Sequence, residues 1–325
     1  MPRGLIYFVE LAAGPTAELL ARPDVCQPLA QSGAGVAMAM LDLAPERAEA
    51  VRALRKLGIP VTAWLVLEPE AGYWLTADNA DAAAERYAQV RAWALAEDLD
   101  FATIGLDIEM PHDDSADLVR DPLRALGRLL WNRRPHGRLG EAHSRYEALV
   151  ARIRGDGYDV ETYQFPFLHD ERRAGSHLLQ RALGVVDVSA DREVLMLYRS
   201  VLPAPWGELL IDAYGPGADA IAVGITGGGV AILAPAFENR LLDFDGLVHD
   251  LRRARRYTDR LYVFSLEGCV EAGMLPHLCQ VDLGPAPAGP ARLRHLSAAG
   301  RAALRGLLRA HQTLHLWRHR ARADV

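Results

Sequence analysis

Residues 102–109, with the sequence ATIGLDIE, decide how the rest of the chain is interpreted. This short apolar run has acidic residues before it and Pro111 after it, which is typical of a buried β-strand. Because side chains alternate along a strand, Asp107 and Glu109 are expected to point to the same side. Burying two unpaired charges is costly, so we expect this pair at the end of the strand, in a polar cleft.

Seven further segments of similar character are predicted to be strands: 4–10, 35–42, 61–68, 158–165, 193–200, 220–226 and 260–267. Helical patterns lie between them: 16–21, 45–57, 79–96, 116–154, 172–183, 205–214 and 244–257. Eight strands that alternate with helices predict an α/β fold, a (β/α)8 TIM barrel in a single domain. A doubly wound sheet would show a glycine-rich fingerprint after its first strand, and residues 10–14 do not match one.

The barrel is predicted to occupy residues 1–283. A run rich in Pro, Ala and Gly at 284–291 is predicted to be a hinge, and a helix from about Ser297 to His319 should follow it. We therefore expect residues 284–325 to form a C-terminal helical extension packed on the barrel.

Composition limits the classes of partner. The 325 residues carry 36 Lys and Arg against 42 Asp and Glu, a net charge of −6, which gives no electrostatic signal for nucleic acid or an anionic membrane. Three cysteines without metal-site spacing indicate reduced thiols. No apolar run is long enough for a membrane span, and Glu10 interrupts the N-terminal one. We expect a cytoplasmic protein with no cofactor and with no nucleic-acid or membrane partner.

Acidic residues are concentrated where the predicted strands end, which is where barrel enzymes place their active sites. They are Glu10, Asp42, Glu68, Asp107, Glu109 and Glu267. Glu10 and Asp42 have an alternative role as helix caps or as partners of arginines. Aromatic and amide side chains near the same ends are candidates for substrate binding, because the apolar faces of sugars pack on aromatic rings. These are Trp64, Tyr73, Trp74, Tyr163, Gln164 and Trp206. For Trp64 and Trp206 a place in the hydrophobic core is equally consistent with the sequence.

Residues 104–109, IGLDIE, resemble the end of the fourth-strand motif of chitinase-like glycoside hydrolases of family 18, in which alternating acids finish as Asp-x-Glu. Residues 196–198, MLY, resemble the Met-x-Tyr of that family, and residues 263–267 are similar to its closing aromatic strand. Two earlier acids of the motif are replaced by Ala102 and Gly105. The resemblance implies a distant relative of barrel glycosidases.

The resemblance also implies roles. Glu109 would be the general acid, Asp107 would orient and stabilise a substrate acetamido group that acts as internal nucleophile, and Tyr198 would donate a hydrogen bond to that group. A neighbouring carboxylate should raise the pKa of Glu109, as an acid that works near neutrality requires. The expected substrate is a small carbohydrate or glycoconjugate. A two-carboxylate variant would pair Glu109 with Glu267.

Two other functions remain open from the sequence. Residues 227–229, three consecutive glycines after the seventh strand, could cradle a phosphate, which would suit a metal-dependent phosphodiesterase, lyase or isomerase with Asp107, Glu109 and Glu267 as oxygen ligands. The only lysine, Lys56, is predicted to lie on a helix, which argues against Schiff-base chemistry. The second alternative is a barrel that binds carbohydrate without catalysis, since some motif acids are missing.

Overall fold

The computed structural model describes residues 4–111, 136–201, 206–229, 241–284 and 291–323, together with a few isolated positions between 114 and 131. Eight parallel strands in consecutive order close into a barrel. They are β1 (Ile6–Val9), β2 (Gly35–Ala39), β3 (Val61–Leu65), β4 (Thr103–Asp107), β5 (Asp159–Gln164), β6 (Arg192–Met196), β7 (Ala220–Gly224) and β8 (Leu261–Phe264). The predicted (β/α)8 barrel is confirmed, and each predicted strand overlaps one observed strand.

The barrel separates two apolar layers, because successive side chains of a strand point in opposite directions. The outer layer, between strands and helices, includes Ile104, Leu106 and Ile108 of the β4 segment. The inner layer fills the barrel and is rich in aromatic rings. Phe8 lies at its centre, with ring centroids 4.9 Å from Tyr163 and 5.3 Å from Trp64.

The helices alternate with the strands over most of the described chain. They are α1 (Ala13–Ala21), α2 (Pro23–Ser32), α3 (Pro45–Lys56), α4 (Ala80–Ala96), α5 (His136–Gly155), α6 (Phe167–Ala174), α7 (Leu178–Leu183), α8 (Trp206–Tyr214), α9 (Phe244–Ala254), α10 (Leu266–Glu271), α11 (Leu275–Leu278) and α12 (Ala291–Ala323). Most of the predicted helical stretch 116–135 and of the predicted hinge 284–291 lies outside the described residues.

Three local differences from the sequence prediction have simple causes. Pro23 was expected to end a helix, but it occupies the first turn of α2, where its missing N–H costs nothing. The helix predicted for 172–183 is divided, because Gly175 ends α6 in the left-handed conformation, with φ of 64°. The eighth strand is shorter than predicted, because Ser265 caps α10 by accepting a hydrogen bond from the Gly268 N–H.

The long C-terminal helix α12 contacts α6 and α8 on the outside of the barrel. Its anchor is the buried carboxylate of Asp170 on α6, which accepts hydrogen bonds from Arg301 Nε at 3.1 Å and from Arg305 Nη1 at 2.8 Å. Tyr214 of α8 donates a third, at 2.8 Å to Asp170 Oδ2. Arg301 also lies over the Tyr214 ring, 4.2 Å from its centroid. These contacts fasten α12 at the side of the barrel.

Candidate active site

The acid pair of the fourth strand lies at the carboxyl end of the barrel. Asp107 is the last residue of β4 and only 2% exposed, while Glu109 is partly buried two residues later. Leu75, from the segment after β3, runs beside them: its N–H donates to the Asp107 carbonyl at 3.1 Å, and its carbonyl accepts from the Glu109 N–H at 2.9 Å. This bridge extends the β4 geometry beyond Asp107, so the two acids keep the strand alternation and face the same side.

The two carboxyl groups lie close enough for each to shift the pKa of the other. Asp107 Oδ1 is buried and has no hydrogen-bond partner among the described residues. Burial raises the pKa of Asp107 well above its ordinary value, and the charge of Glu109 raises it further. Burial, followed by the charge of Glu10, raises the pKa of Glu109 to about 8. The pair therefore holds a proton at neutral pH.

Trp64 of β3 supplies the other partner of Asp107. Its indole Nε1 donates to Asp107 Oδ2 at 3.1 Å, inside the barrel. The hydrogen bond lowers the pKa of Asp107, against the larger effect of burial. Trp64 is only 3% exposed, so it belongs to the packed interior and also contacts the site.

Glu10 and two tyrosines complete the group around the pair. Tyr73 donates from its hydroxyl to Glu10 Oε1 at 2.6 Å. Burial and the charge of Glu10 raise the pKa of Tyr73, with smaller contributions from Asp107 and Glu109. Burial and the charges of Glu109, Asp107 and Glu10 likewise raise the pKa of Tyr198. Both phenols therefore stay protonated. The Tyr73 hydroxyl donates its proton to Glu10, whereas the Tyr198 hydroxyl can donate a hydrogen bond to a ligand.

Glu267 lies beside this group but is bound to the backbone. The sequence predicted Glu267 at the end of the eighth strand. In the structure it lies in the first turn of α10. Its Oε1 accepts from the Glu10 N–H and from the Gly229 N–H, both at 3.2 Å. Burial raises the pKa of Glu267 to about 6, against the opposing effect of these hydrogen bonds. The catalytic role of Glu267 stays a prediction, with one of its oxygens committed to the backbone.

The glycine turn, Gly227–Gly229, lies against these acids. All three residues have positive φ, of 115°, 75° and 81° in order. A Cβ on Gly229 would lie 2.7 Å from Glu10 Oε2, and a Cβ on Gly228 would lie 2.3 Å from Glu267 Cγ. The Gly229 N–H donates to Glu267. It is therefore engaged within the protein, and a phosphate bound at this turn would have one backbone donor fewer.

The structure brings some predicted substrate-binding residues together and separates others. Tyr73 and Trp74 are 6% and 5% exposed, with ring centroids 5.6 Å apart, so they line the barrel interior and are not an exposed platform. Tyr163 lies deeper, with its hydroxyl 2.8 Å from Glu161 Oε1. Gln164 follows it on the opposite face of β5, away from the barrel interior. The Trp206 side chain lies outside the described part of the chain.

Two of the predicted acids have other partners. Asp42 forms an ion pair of 2.8 Å with the buried Arg47 and accepts from the Ala13 N–H at 3.0 Å, which is the alternative structural role expected from the sequence. Glu68 is exposed and lies 3.9 Å from Arg86. These partners are not part of the acid pair, so the substrate-binding roles of Asp42 and Glu68 stay predictions.

One buried network was missed from the sequence. Glu161 of β5 is fully buried inside the barrel and accepts from Tyr163, Tyr262 and Arg192, each at 2.8 Å. The signal was present, because Glu161 and Tyr163 alternate within the predicted fifth strand and must share its inner face. This network fixes Tyr163 beneath the acid pair.

Within the described ranges, no group of three or more His, Cys, Asp or Glu side chains is arranged to hold a metal ion. Among the helices in the same ranges, none combines the length and apolar character that crossing a membrane requires. The acids and phenols at the carboxyl end can exchange a proton and can accept or donate hydrogen bonds.

Comparison with family models finds no match for the sequence, and comparison with curated proteins finds none either. Solved structures do show similarity. A family 18 chitinase from Pseudoalteromonas aurantia is 11% identical over 85% of this chain and 99% of that chain, with a TM-score of 0.48. The glycoside hydrolase domain of PgaB from Bordetella bronchiseptica is 10% identical over 88% of this chain and 100% of that chain, with a TM-score of 0.48. A 3-keto-D-glucoside 4-epimerase from E. coli is 14% identical over 93% of this chain and 99% of that chain, with a TM-score of 0.43. Identities of this size leave the activity of the present chain open.

Proposed function

We propose that this protein is a glycoside hydrolase-like enzyme that cleaves a glycosidic bond by carboxyl acid catalysis. The observation that carries the proposal is the pair of Asp107 and Glu109, which the bridge to Leu75 keeps on one side of the β4 segment at the carboxyl end of the barrel. Two carboxyl groups side by side with little exposure to solvent are a costly arrangement, and the pKa of about 8 for Glu109 suits an acid that must be protonated near neutrality.

The roles follow the polarity of the reaction. Glu109 would donate its proton to the glycosidic oxygen as the bond to the anomeric carbon breaks. Positive charge develops on the sugar ring as this bond breaks. The Asp107 carboxylate, which accepts a hydrogen bond from Trp64, would stabilise that positive charge. The resemblance to the family 18 motifs adds that an acetamido oxygen of the substrate would attack the anomeric carbon, with Tyr198 as its hydrogen-bond donor.

The geometry supports the phospho-ligand alternative less well. The Gly229 N–H is engaged by Glu267, and the described acids form no metal-binding group. A barrel that only binds carbohydrate would need no acid with a raised pKa, so catalysis is the better explanation of the pair.

The test uses substrates whose leaving groups differ in their need for a proton. The 4-nitrophenyl glycosides of N-acetylglucosamine, glucose and galactose release a stable phenolate, while N,N′-diacetylchitobiose needs its leaving oxygen protonated. The Glu109→Gln variant should lose about 10²- to 10⁴-fold in kcat with the disaccharide and less with an activated aryl glycoside. Glu68→Gln, which changes an exposed acid outside the pair, is the matched control and should keep the wild-type rate.

The same set of assays separates the alternatives. Sugar binding by calorimetry without any turnover would favour a carbohydrate-binding barrel. Hydrolysis of bis-4-nitrophenyl phosphate that depends on added Mg²⁺ would favour the phospho-ligand enzyme. Full disaccharide turnover by Glu109→Gln would show that Glu109 is not the acid.

A further inference from the structure

Glu10 and Glu267 are separated by 257 positions in the sequence, yet they are linked by one hydrogen bond, from the Glu10 N–H to Glu267 Oε1. The same oxygen accepts from the Gly229 N–H, so one carboxylate oxygen joins the end of β1 to the glycine turn. The start of α10 that carries Glu267 is itself fixed, because Ser265 caps it and donates to the Gly227 carbonyl at 2.6 Å. Glu267 is thus tied at both sides to backbone that surrounds Glu10.

The Glu10 side chain is held just as closely. Tyr73 donates to Oε1 at 2.6 Å, and Gly229 lies so near to Oε2 that a Cβ there would come within 2.7 Å. The ring of Phe264 is also close to Gly229, with Cζ 2.9 Å from the same Cβ position. Glu10 is only 6% exposed, and its charge contributes to raising the pKa of Glu109. A carboxylate so placed is fixed in position next to the acid pair.

We propose that Glu267 is a positioning residue, which holds Glu10 through the end of β1 and the glycine turn so that the Glu10 carboxylate accepts a hydrogen bond from a sugar hydroxyl beside Glu109. That the ligand is a sugar follows from the proposed function. It assigns Glu10, rather than Glu267, as the additional carboxylate that contacts substrate. Tyr73 fixes the orientation of that carboxylate.

Binding to a variant that cannot turn over tests the proposal separately from catalysis. The probes are 4-nitrophenyl N-acetyl-β-D-glucosaminide and N,N′-diacetylchitobiose, titrated by calorimetry into Glu109→Gln. Adding Glu10→Gln should weaken binding about tenfold, because the sugar hydroxyl then donates to a neutral amide oxygen and no longer to a charged carboxylate. An unchanged Kd, or no binding of either probe to Glu109→Gln, overturns the inference. Wild-type turnover is measured separately and decides the proposed function alone.

Two neighbouring glycines provide a matched pair. Both Gly227 and Gly229 have positive φ, so an alanine strains the backbone at either position. At Gly227 the nearest atom to the new Cβ is Gly268 Cα, at 3.5 Å, whereas at Gly229 it is Glu10 Oε2. Gly229→Ala should therefore weaken sugar binding by about tenfold or more relative to Gly227→Ala. Equal affinities would show that the turn does not position Glu10.

The positioning role of Glu267 has its own readout. In Glu267→Ala the amide protons of Glu10 and Gly229 lose their acceptor, so their NMR signals should shift and exchange with solvent faster. Glu267→Gln keeps an acceptor oxygen and should restore both amide signals and most of the binding affinity. If Glu267→Ala leaves the two amides and the affinity as in the parent Glu109→Gln protein, Glu267 does not position Glu10.

Discussion

The indole N–H of Trp64 donates a hydrogen bond of 3.1 Å to Oδ2 of Asp107 across the boundary between β3 and β4. Trp64 is the partner that lowers the pKa of Asp107 in a site where burial and a neighbouring acid raise it. The contact therefore favours the ionised form of Asp107, against the larger opposing effect of burial. An ionised Asp107 beside a protonated Glu109 is the distribution that the proposed mechanism requires.

Replacement of Trp64 by Phe should lower kcat by about tenfold or more, because a hydrogen bond to a charged group contributes about 1.5–3 kcal/mol. Steady-state kinetics with N,N′-diacetylchitobiose measures the effect, and the Tm of each variant shows whether packing is also lost. Trp93→Phe is the control: Trp93 lies on α4 and stacks on Phe101, at a centroid distance of 6.4 Å. A Trp64→Phe enzyme as fast as Trp93→Phe would contradict this role of the indole.

The pH dependence of activity should follow the protonation of Glu109. Since the pKa of Glu109 is raised to about 8, its acid form is present below that pH and is lost above it. We expect kcat/KM to fall above about pH 8. Glu10→Gln removes a charge that raises this pKa, so its activity should begin to fall at a lower pH, while Glu68→Gln should keep the wild-type profile. Superimposable profiles for all three proteins would rule out the influence of Glu10 on Glu109.

Gly105 makes room for a ring beneath the acid pair. A Cβ at this position would lie 2.4 Å from the Tyr163 hydroxyl, which is held by Glu161. Gly105→Ala should destabilise the protein by about 1–3 kcal/mol through overpacking. Urea denaturation gives the free energy of unfolding. Gly140→Ala, on the exposed side of α5 with nothing within 4 Å, should be neutral or slightly stabilising. Equal stabilities would mean that Tyr163 can move aside at little cost.

Asp170 should be important for the attachment of α12. Asp170→Ala leaves Arg301 and Arg305 without their carboxylate, and breaking a buried ion pair costs about 3–5 kcal/mol. Urea denaturation should show a lower free energy of unfolding, and limited proteolysis should show faster cleavage within 291–323. Arg309→Ala removes only an exposed hydrogen bond to the Arg173 carbonyl and should change the free energy of unfolding by less than about 0.5 kcal/mol. Proteolysis of α12 that is no faster in Asp170→Ala than in Arg309→Ala would argue against this anchor.

Local patterns were sufficient for the barrel and for the acid pair. Alternation along residues 102–109 predicted Asp107 and Glu109 on one face, and the bridge to Leu75 maintains that alternation beyond the end of β4. Repeated apolar runs separated by helical patterns predicted the eight strands, because burial of each strand is a property of its own residues. The ends of strands and helices were less predictable, because they depend on capping residues. Ser265 caps α10, so Glu267 lies in a helix and not in the predicted strand.

The partners of each acid depended on tertiary structure. Asp42 and Glu10 both follow short apolar strands and look alike in the sequence, yet Asp42 pairs with Arg47 outside the barrel, whereas Glu10 meets Tyr73 and lies beside Glu109. The sequence by itself determined which residues alternate and which segments are buried, because those properties are local. Only the closed barrel decided which acids share one environment, because a pKa depends on burial and on charges brought near from distant parts of the chain.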